Sequence, residues 1–319
     1  MPIPVGDFVR IVYEGHHFDD NAIQAFRKGL GKDFVETVAD MRAIVMALDR
    51  TRYPTSILIR FSATDVRFAT VNGNECPIDQ HDRAVSQPSE AGGQYEPHVV
   101  QLLRRVCQPG TVALDIGANI GCHTITMATL VGPSGRCYAF EPNSENCRLI
   151  LLACNHNNLR NVTLAPVALS DFRGYAYFST HLGSNGGIVP EQFVALKGNG
   201  VIVPVFTLDS FNVDHADVIK IDIEGGEYKA LKGGASLLSR SRPVIISEFS
   251  IAMTEQVSGA SAREYFDWIE SLKYKLFLLD RTSNKTVPIK SISALLADWG
   301  SIYRIEDLVF VPHEKLHLI

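Results

Sequence analysis

The chain has 319 residues, 46% of them hydrophobic and 20% charged, with a formal net charge of -5. That size suits one large domain with an extension or two modest domains, in an ordinary globular composition. The acidic balance, with no basic run of interleaved aromatics, argues against nucleic acid as a partner, and no apolar run approaches the roughly 20 residues that span a bilayer.

The N-terminus, Met1-Pro2-Ile3-Pro4, lacks the basic and apolar regions of a signal peptide, so cytoplasm is the expected location. Ile23, Phe26, Leu30, Phe34, Val38, Met41, Ile44 and Leu48 recur at spacings of three and four, an amphipathic helical stripe. Gly29 and Gly31 interrupt it, which predicts two helices, with Asp33 capping the second. Residues 56–61 and 66–71 read as the two strands of a short hairpin. Residues 1–93 thus form an N-terminal extension, open as a lid, a homo-oligomer surface or a structural apron. The polar, Gly- and Pro-containing stretch 80–93 is expected to be a linker or loop.

From residue 94 to 319 the pattern changes. A helix is predicted over 99–106, then strands at 111–116, 136–141, 162–167, 217–223, 243–248, 275–279 and 308–312, with helices between most of them. The last crossover contains a helix at 291–299. Alternation of this kind predicts an α/β fold: a mostly parallel, seven-stranded sheet with helices on both faces. Six cysteines lie scattered without a CxxC pair, several inside apolar elements, so neither zinc nor a disulfide framework is expected.

The chemistry concentrates at predicted strand ends. The strand ending at Ile116 runs into Gly117, Asn119 and Gly121, and a helix follows. Such a turn offers free backbone N–H groups at a helix start and close approach at its glycines. Spacing of Gly117-x-x-x-Gly121, with Asn119 where a dinucleotide fingerprint has its middle glycine, does not fit a pyrophosphate. Asp115 would repel a pyrophosphate but suits the α-ammonium of S-adenosylmethionine. Glu141, at the end of the next strand, is placed to accept both hydroxyls of a ribose. Pro142 follows it, and Ala168, after the third strand, is small enough to border an adenine. Glu96 reads equally as a residue that folds over the methionine end of the cofactor and as a helix-start carboxylate. A class I methyltransferase (Rossmann-like) fold is the expectation.

The segments around Asp115 to Gly121, Phe140-Glu141-Pro142, Thr207-Leu208-Asp209 and Lys220-Ile221-Asp222-Ile223-Glu224-Gly225-Gly226-Glu227 resemble the motifs of FkbM-type methyltransferases. Ala230 to Gly234 and Arg242-Pro243 continue the likeness, which covers roughly residues 95–249. The resemblance implies transfer of a methyl group from S-adenosylmethionine to a hydroxyl oxygen, often on sugars or polyketides, and leaves the acceptor open.

An alcohol must lose its proton as the methyl bond forms, which calls for a general base or a divalent ion that acidifies it. Asp222, at the end of the fourth core strand, is the expected catalytic base or metal ligand, with Glu248 on the next strand end as its companion. Together with Glu224 they make an oxygen set suited to magnesium. Glu224 reads equally as a helix-start carboxylate, and Glu227 reads more simply as one. His123, just past the glycine loop, is an alternative base or a packing residue. The expected acceptor is a small molecule or glycoside. Methylation of a nucleobase or protein amine, and a non-catalytic module that keeps the cofactor fold, are the competing readings. The chain has Asp222-Ile-Glu-Gly where nitrogen methylation at a planar base uses an Asn/Asp-Pro-Pro-aromatic turn.

Overall fold

The structure, a computed structural model, describes residues 8–12, 56–60, 66–78, 93–182, 185–190, 200–300 and 304–319. The predicted helical stripe of residues 23–48 and most of the stretch 80–93 lie outside the described residues. Two short antiparallel pairs come first: β1 (Phe8–Val12) with β2 (Ser56–Arg60), and β3 (Arg67–Val71) with β4 (Asn74–Ile78). The expected hairpin between residues 56–61 and 66–71 is therefore corrected. Each of those segments pairs elsewhere, and the true hairpin turns at Asn72-Gly73. Both turn residues have positive φ, the two-residue geometry that matches strand twist.

Helix α1 (Pro97–Val106) starts on a proline, whose missing N–H costs nothing at that position. Strand β5 (Val112–Ile116), helix α2 (Cys122–Val131), β6 (Arg136–Phe140), α3 (Ser144–His156) and β7 (Val162–Ala165) follow in strict alternation. Short β8 (Ala168–Leu169), β9 (Gly174–Leu182), β10 (Asn185–Ile188) and β11 (Gly200–Phe206) form a separate four-stranded sheet. The chain then returns to the main sheet through β12 (Val218–Ile221), α4 (Glu227–Lys232), α5 (Ala235–Ser241) and β13 (Val244–Phe249). Helices α6 (Ile251–Ser258) and α7 (Ala262–Ser271), strands β14 (Tyr274–Asp280) and β15 (Lys285–Pro288), α8 (Ile292–Trp299) and β16 (Glu306–Pro312) complete it.

The main sheet has eight strands in the order β15-β14-β16-β13-β12-β5-β6-β7. Strands β5, β6, β7, β12 and β13 are parallel, while β16 runs antiparallel to both its neighbours and β15 antiparallel to β14. The expected seven strands are all present. The eighth, β15, is a polar edge strand with no apolar alternation to betray it. The expected third strand, 162–167, stops at Ala165, because Pro166 has no N–H to give a ladder.

Strands β5, β12 and β13 read as nearly unbroken apolar runs because helices cover both faces. Helix α2 is buried nearly all round, which a surface helix cannot be. The cause is the β3–β4 hairpin: Val71, Cys76 and Ile78 pack with Ile120, Cys122 and Leu149 on its outer side. Reciprocal hydrogen bonds between Glu75 backbone and the Asn157 side chain, and a Phe68–His156 ring stack at 4.1 Å, fasten the hairpin to α3. All six cysteines are buried and none is in a disulfide. Among the described residues no helix is long and apolar enough to cross a membrane.

The strand order reverses direction of growth between β5 and β12, the point where open α/β sheets leave a crevice at their carboxyl ends. Two loops meet there. Gly117 has φ +80°, and a Cβ on it would lie 1.9 Å from the Asp222 carbonyl oxygen. Gly117→Ala is accordingly expected to lower thermal stability by far more than Gly259→Ala. The latter also places a side chain at positive φ (+65°) but meets nothing within 4 Å, so it should cost only the roughly 1–2 kcal/mol of left-handed strain. Equal melting shifts for the two variants would contradict the close approach.

Candidate active site

A cleft of about 270 Å³ opens at this crevice. Its walls include Glu96, Gly117, Asn119, Glu141, Pro142, Ala168, Asp222, Glu224 and Glu248, so nine of the eleven residues nominated from sequence share one cavity. Gly121 and Asp115 do not line it. Gly121 keeps its positive φ of +95° to start α2, and a Cβ there would press on Ile150, so its constraint is packing. Asp115 is fully buried, and Thr124 donates to its Oδ2 at 2.5 Å. The expectation that it faces the cleft directly is corrected: one turn into α2, Thr124 closes over it. Its Oδ1 nevertheless has no partner among the described residues. An orphaned buried carboxylate oxygen is costly, and a cationic ligand group would repay it.

Glu141 ends β6 as expected. Its Oε2 accepts from the Asn119 amide and Oε1 from the Asn143 amide, both at 2.8 Å. Burial pushes its carboxyl up to about 8, against those two amides and Asn146, which favour the charged form. The amides fix its orientation towards the glycine turn, and Asn119 itself adopts positive φ to deliver its N–H. The cleft-lining Glu141 and small Ala168 fit the ribose and the flat base of an S-adenosyl ligand, and the buried charge of Asp115 behind the wall favours a cationic tail.

The opposite wall is acidic. Asp222 and Glu248 stand at the carboxyl ends of neighbouring strands, since Ile221 is in register with Ser247. Lys220, 6% exposed within the apolar strand β12, places Nζ 3.1 Å from Asp222 Oδ2. Burial pushes Glu248 up to about 10, reinforced by the charges of Asp222, Glu224 and Glu227 and opposed by Lys220. Glu224 is pushed up to about 7, again first by burial and then by Asp222. Glu227 accepts from the amides of Ile223 and Gly225, so it shapes the loop that presents Glu224.

On the near side, Glu96 holds His123 Nε2 at 2.7 Å. Burial alone would raise Glu96, but the hydrogen bond and charge of His123, with Lys220 and His98 behind, take it down to about 2. It is therefore a fixed carboxylate, and the imidazole donates to it. Glu96, Asn119 and Glu224 all have positive φ, and Glu96 does so directly before a proline, where an extended backbone is the easy choice. Three strained non-glycine residues on one cleft mark it as a place where function overrides local preference.

The motifs at residues 207–209 and 230–234 have structural work. Asp209 accepts from the amides of Ser236 and Leu237 at the start of α5, while Gly233 and Gly234 press against Ser170 and Leu208. The magnesium expectation for Asp222 and Glu248 finds no support. Among the described residues no group of three potential ligands is arranged to hold a metal, and the Lys220 ammonium already sits where a cation would meet Asp222. Sequence reasoning gave Lys220 no role. The available signal was a lysine inside an otherwise apolar strand, where an unpaired charge is expensive. A second, more open hollow of about 160 Å³ adjoins the cleft, sharing Gly186, Gly187, Ile188 and Glu224 and bordered by Met253 and Val257.

Sheet order, the glycine turn and the carboxylate at the next strand end define a class I methyltransferase. The profile described as the Methyltransferase FkbM domain matches residues 115–276, half of the chain, and the protein belongs to that family. A curated relative, the hexuronic acid methyltransferase AglP of Haloferax volcanii, is 27% identical over 157 residues. The match covers 47% of this chain and 61% of that protein, less than two thirds of its length. Among solved structures, an FkbM methyltransferase from Methylobacillus flagellatus KT is similar at 18% identity, covering 63% of this chain and 43% of that one, with a TM-score of 0.41. TYW2 of P. horikoshii, solved with MeSAdo, is similar at 11% identity over 80% and 73% of the two chains, TM-score 0.41.

The raised Glu248 has a consequence for stability. In the folded protein it binds a proton that the unfolded chain releases, so stability falls as pH rises from the ordinary glutamate value of 4.5 towards about 10. Glu248→Gln removes that penalty. Its melting temperature relative to the parent should therefore rise between pH 5 and pH 9 and show no gain below about pH 4. A difference that does not change with pH would contradict the assignment.

Proposed function

We propose that the protein transfers the methyl group of S-adenosylmethionine to a hydroxyl oxygen of a small molecule, with a sugar or glycoside as the acceptor class. The observation that carries this reading is the division of a single cleft. Its glycine turn and Glu141 suit the nucleoside, while Asp222, Glu224 and Glu248 line the part left for an acceptor. The name of the curated relative supports a carbohydrate acceptor. In this reading residues 94–319 are the transferase unit, and the β3–β4 hairpin of the first 93 residues backs the helices that carry the cofactor turn.

The cofactor, when bound, supplies an electrophilic methyl group on a sulfonium. Glu141 accepts hydrogen bonds from the ribose hydroxyls, Ala168 and Pro142 border the base, and Glu96 draws the α-ammonium, with the buried charge of Asp115 behind the cleft wall. Asp222 takes the acceptor hydroxyl proton as the oxygen–methyl bond forms and the methyl–sulfur bond breaks. Lys220 holds the Asp222 carboxylate in place. Glu248 keeps its proton at neutral pH and so donates a hydrogen bond to an acceptor oxygen, while Glu224, on the wall shared with the adjoining hollow, contacts the part of the acceptor beyond the reacting hydroxyl. Alignment of the two reactants within the cleft contributes several kcal/mol of the lowered barrier.

Asp222→Asn should reduce turnover by about 10²–10⁴-fold, the range for loss of a general base, while S-adenosylhomocysteine still binds. Glu141→Ala should do the reverse and weaken that binding. Calorimetry measures the affinities, and mass spectrometry of a panel of methyl glycosides incubated with S-adenosylmethionine measures turnover. Loss of binding in both variants alike would contradict the two roles.

A further inference from the structure

Lys220 has more hydrogen-bonding capacity than the protein uses. Its ammonium carries three N–H donors, yet among the described residues it makes one hydrogen bond, to Asp222 Oδ2. It is 6% exposed and lines the cleft, so the remaining donors have little access to bulk water. Burial alone would lower its pKa, but the charges of Asp222, Asp115 and Glu96 raise it, and the group stays charged. A buried cation with unused donors calls for an anionic oxygen ligand.

Register shows where that ligand would lie. Lys220 is paired with Asp115 across β12 and β5, and two residues further along the same face comes Asp222. It therefore stands between the region of the cofactor's amino-acid tail and the region of the acceptor. That tail is a zwitterion. Glu96, an anion on the cleft wall, suits its ammonium, which leaves its carboxylate in need of a cation. Of the two basic side chains among the described lining residues, His123 is engaged by Glu96 while Lys220 retains donors.

We infer that Lys220 is a carboxylate-binding residue of the cleft, gripping a ligand carboxylate with the N–H groups that Asp222 leaves over. The inference rests on the cofactor reading above. Two sources offer this chemistry: the amino-acid tail of the cofactor, and an acidic sugar acting as acceptor.

Calorimetric titrations separate them. S-adenosylhomocysteine carries the tail, and 5′-methylthioadenosine presents the same nucleoside and sulfur without it. Lys220→Met should weaken S-adenosylhomocysteine by at least about tenfold, equivalent to about 1.4 kcal/mol, and leave 5′-methylthioadenosine unchanged. Unchanged binding of the second probe also shows that the variant is folded. Lys220→Arg should recover part of the loss. If Lys220→Met instead spares S-adenosylhomocysteine but abolishes binding of D-glucuronate to the S-adenosylhomocysteine-saturated protein, the carboxylate comes from the acceptor and the inference still holds. Equal losses for both nucleosides, or no change with any probe, would overturn it. A parent protein that binds neither nucleoside would overturn the functional reading itself.

Discussion

The site depends on one steric allowance, the missing side chain at Gly117. The turn after β5 and the loop after β12 approach so closely that the Asp222 carbonyl occupies the space of a Gly117 Cβ. Asp222 also donates its own N–H to the Ile116 carbonyl, which continues the β5–β12 ladder to the very edge of the crevice. The nucleoside side of the cleft and the acidic side are thereby locked at a fixed distance. Since methyl transfer requires two reactants to be held in line, that rigidity is the fold's contribution to the chemistry. The glycine is required here by the protein's own backbone more than by a ligand.

Around that contact the protein gathers carboxylates that would repel one another in an empty cleft. Each is managed differently. Glu96 is held as an anion by His123, Asp222 is paired with Lys220, Glu141 is gripped by two backbone amides, and Glu248 retains its proton. Behind them, the buried Asp307, register partner of Glu248, is satisfied by His98 at 2.7 Å and Arg281 at 2.9 Å. A surplus of acidic groups over basic ones suits a ligand that brings a sulfonium and an ammonium with a single carboxylate. Strain at Glu96, Asn119 and Glu224 is tolerated because the surrounding packing over-determines those positions.

Much of this was legible in the chain because strand ends deliver the chemistry. Asp222 and Glu248 each follow an apolar run, and Glu141 caps another, so an α/β pattern alone brings them to one edge. The parts that were not legible failed for local reasons. The charge of Asp115 is legible, but its burial is not: Thr124 lies nine residues away, and only the packing of α2 on β5 shows that it closes over the carboxylate. Asn72-Gly73 signals a tight hairpin, yet Pro77 within the following strand obscured the partner, which is tolerated because a two-stranded ribbon has free edges. The polar strand β15 has no periodicity to find. Lys220 carries a signal of its own: a charge amid Val218, Ile219 and Ile221 is a conspicuous departure from the pattern of a doubly covered strand.

A crystal structure of the protein with S-adenosylhomocysteine bound would test the two-sided cleft most directly. The ribose hydroxyls should lie on Glu141, the base beside Ala168, and the thioether sulfur should face Asp222 across the Gly117 turn. Electron density for the nucleoside anywhere other than against Glu141, or a sulfur turned away from Asp222, would contradict the account.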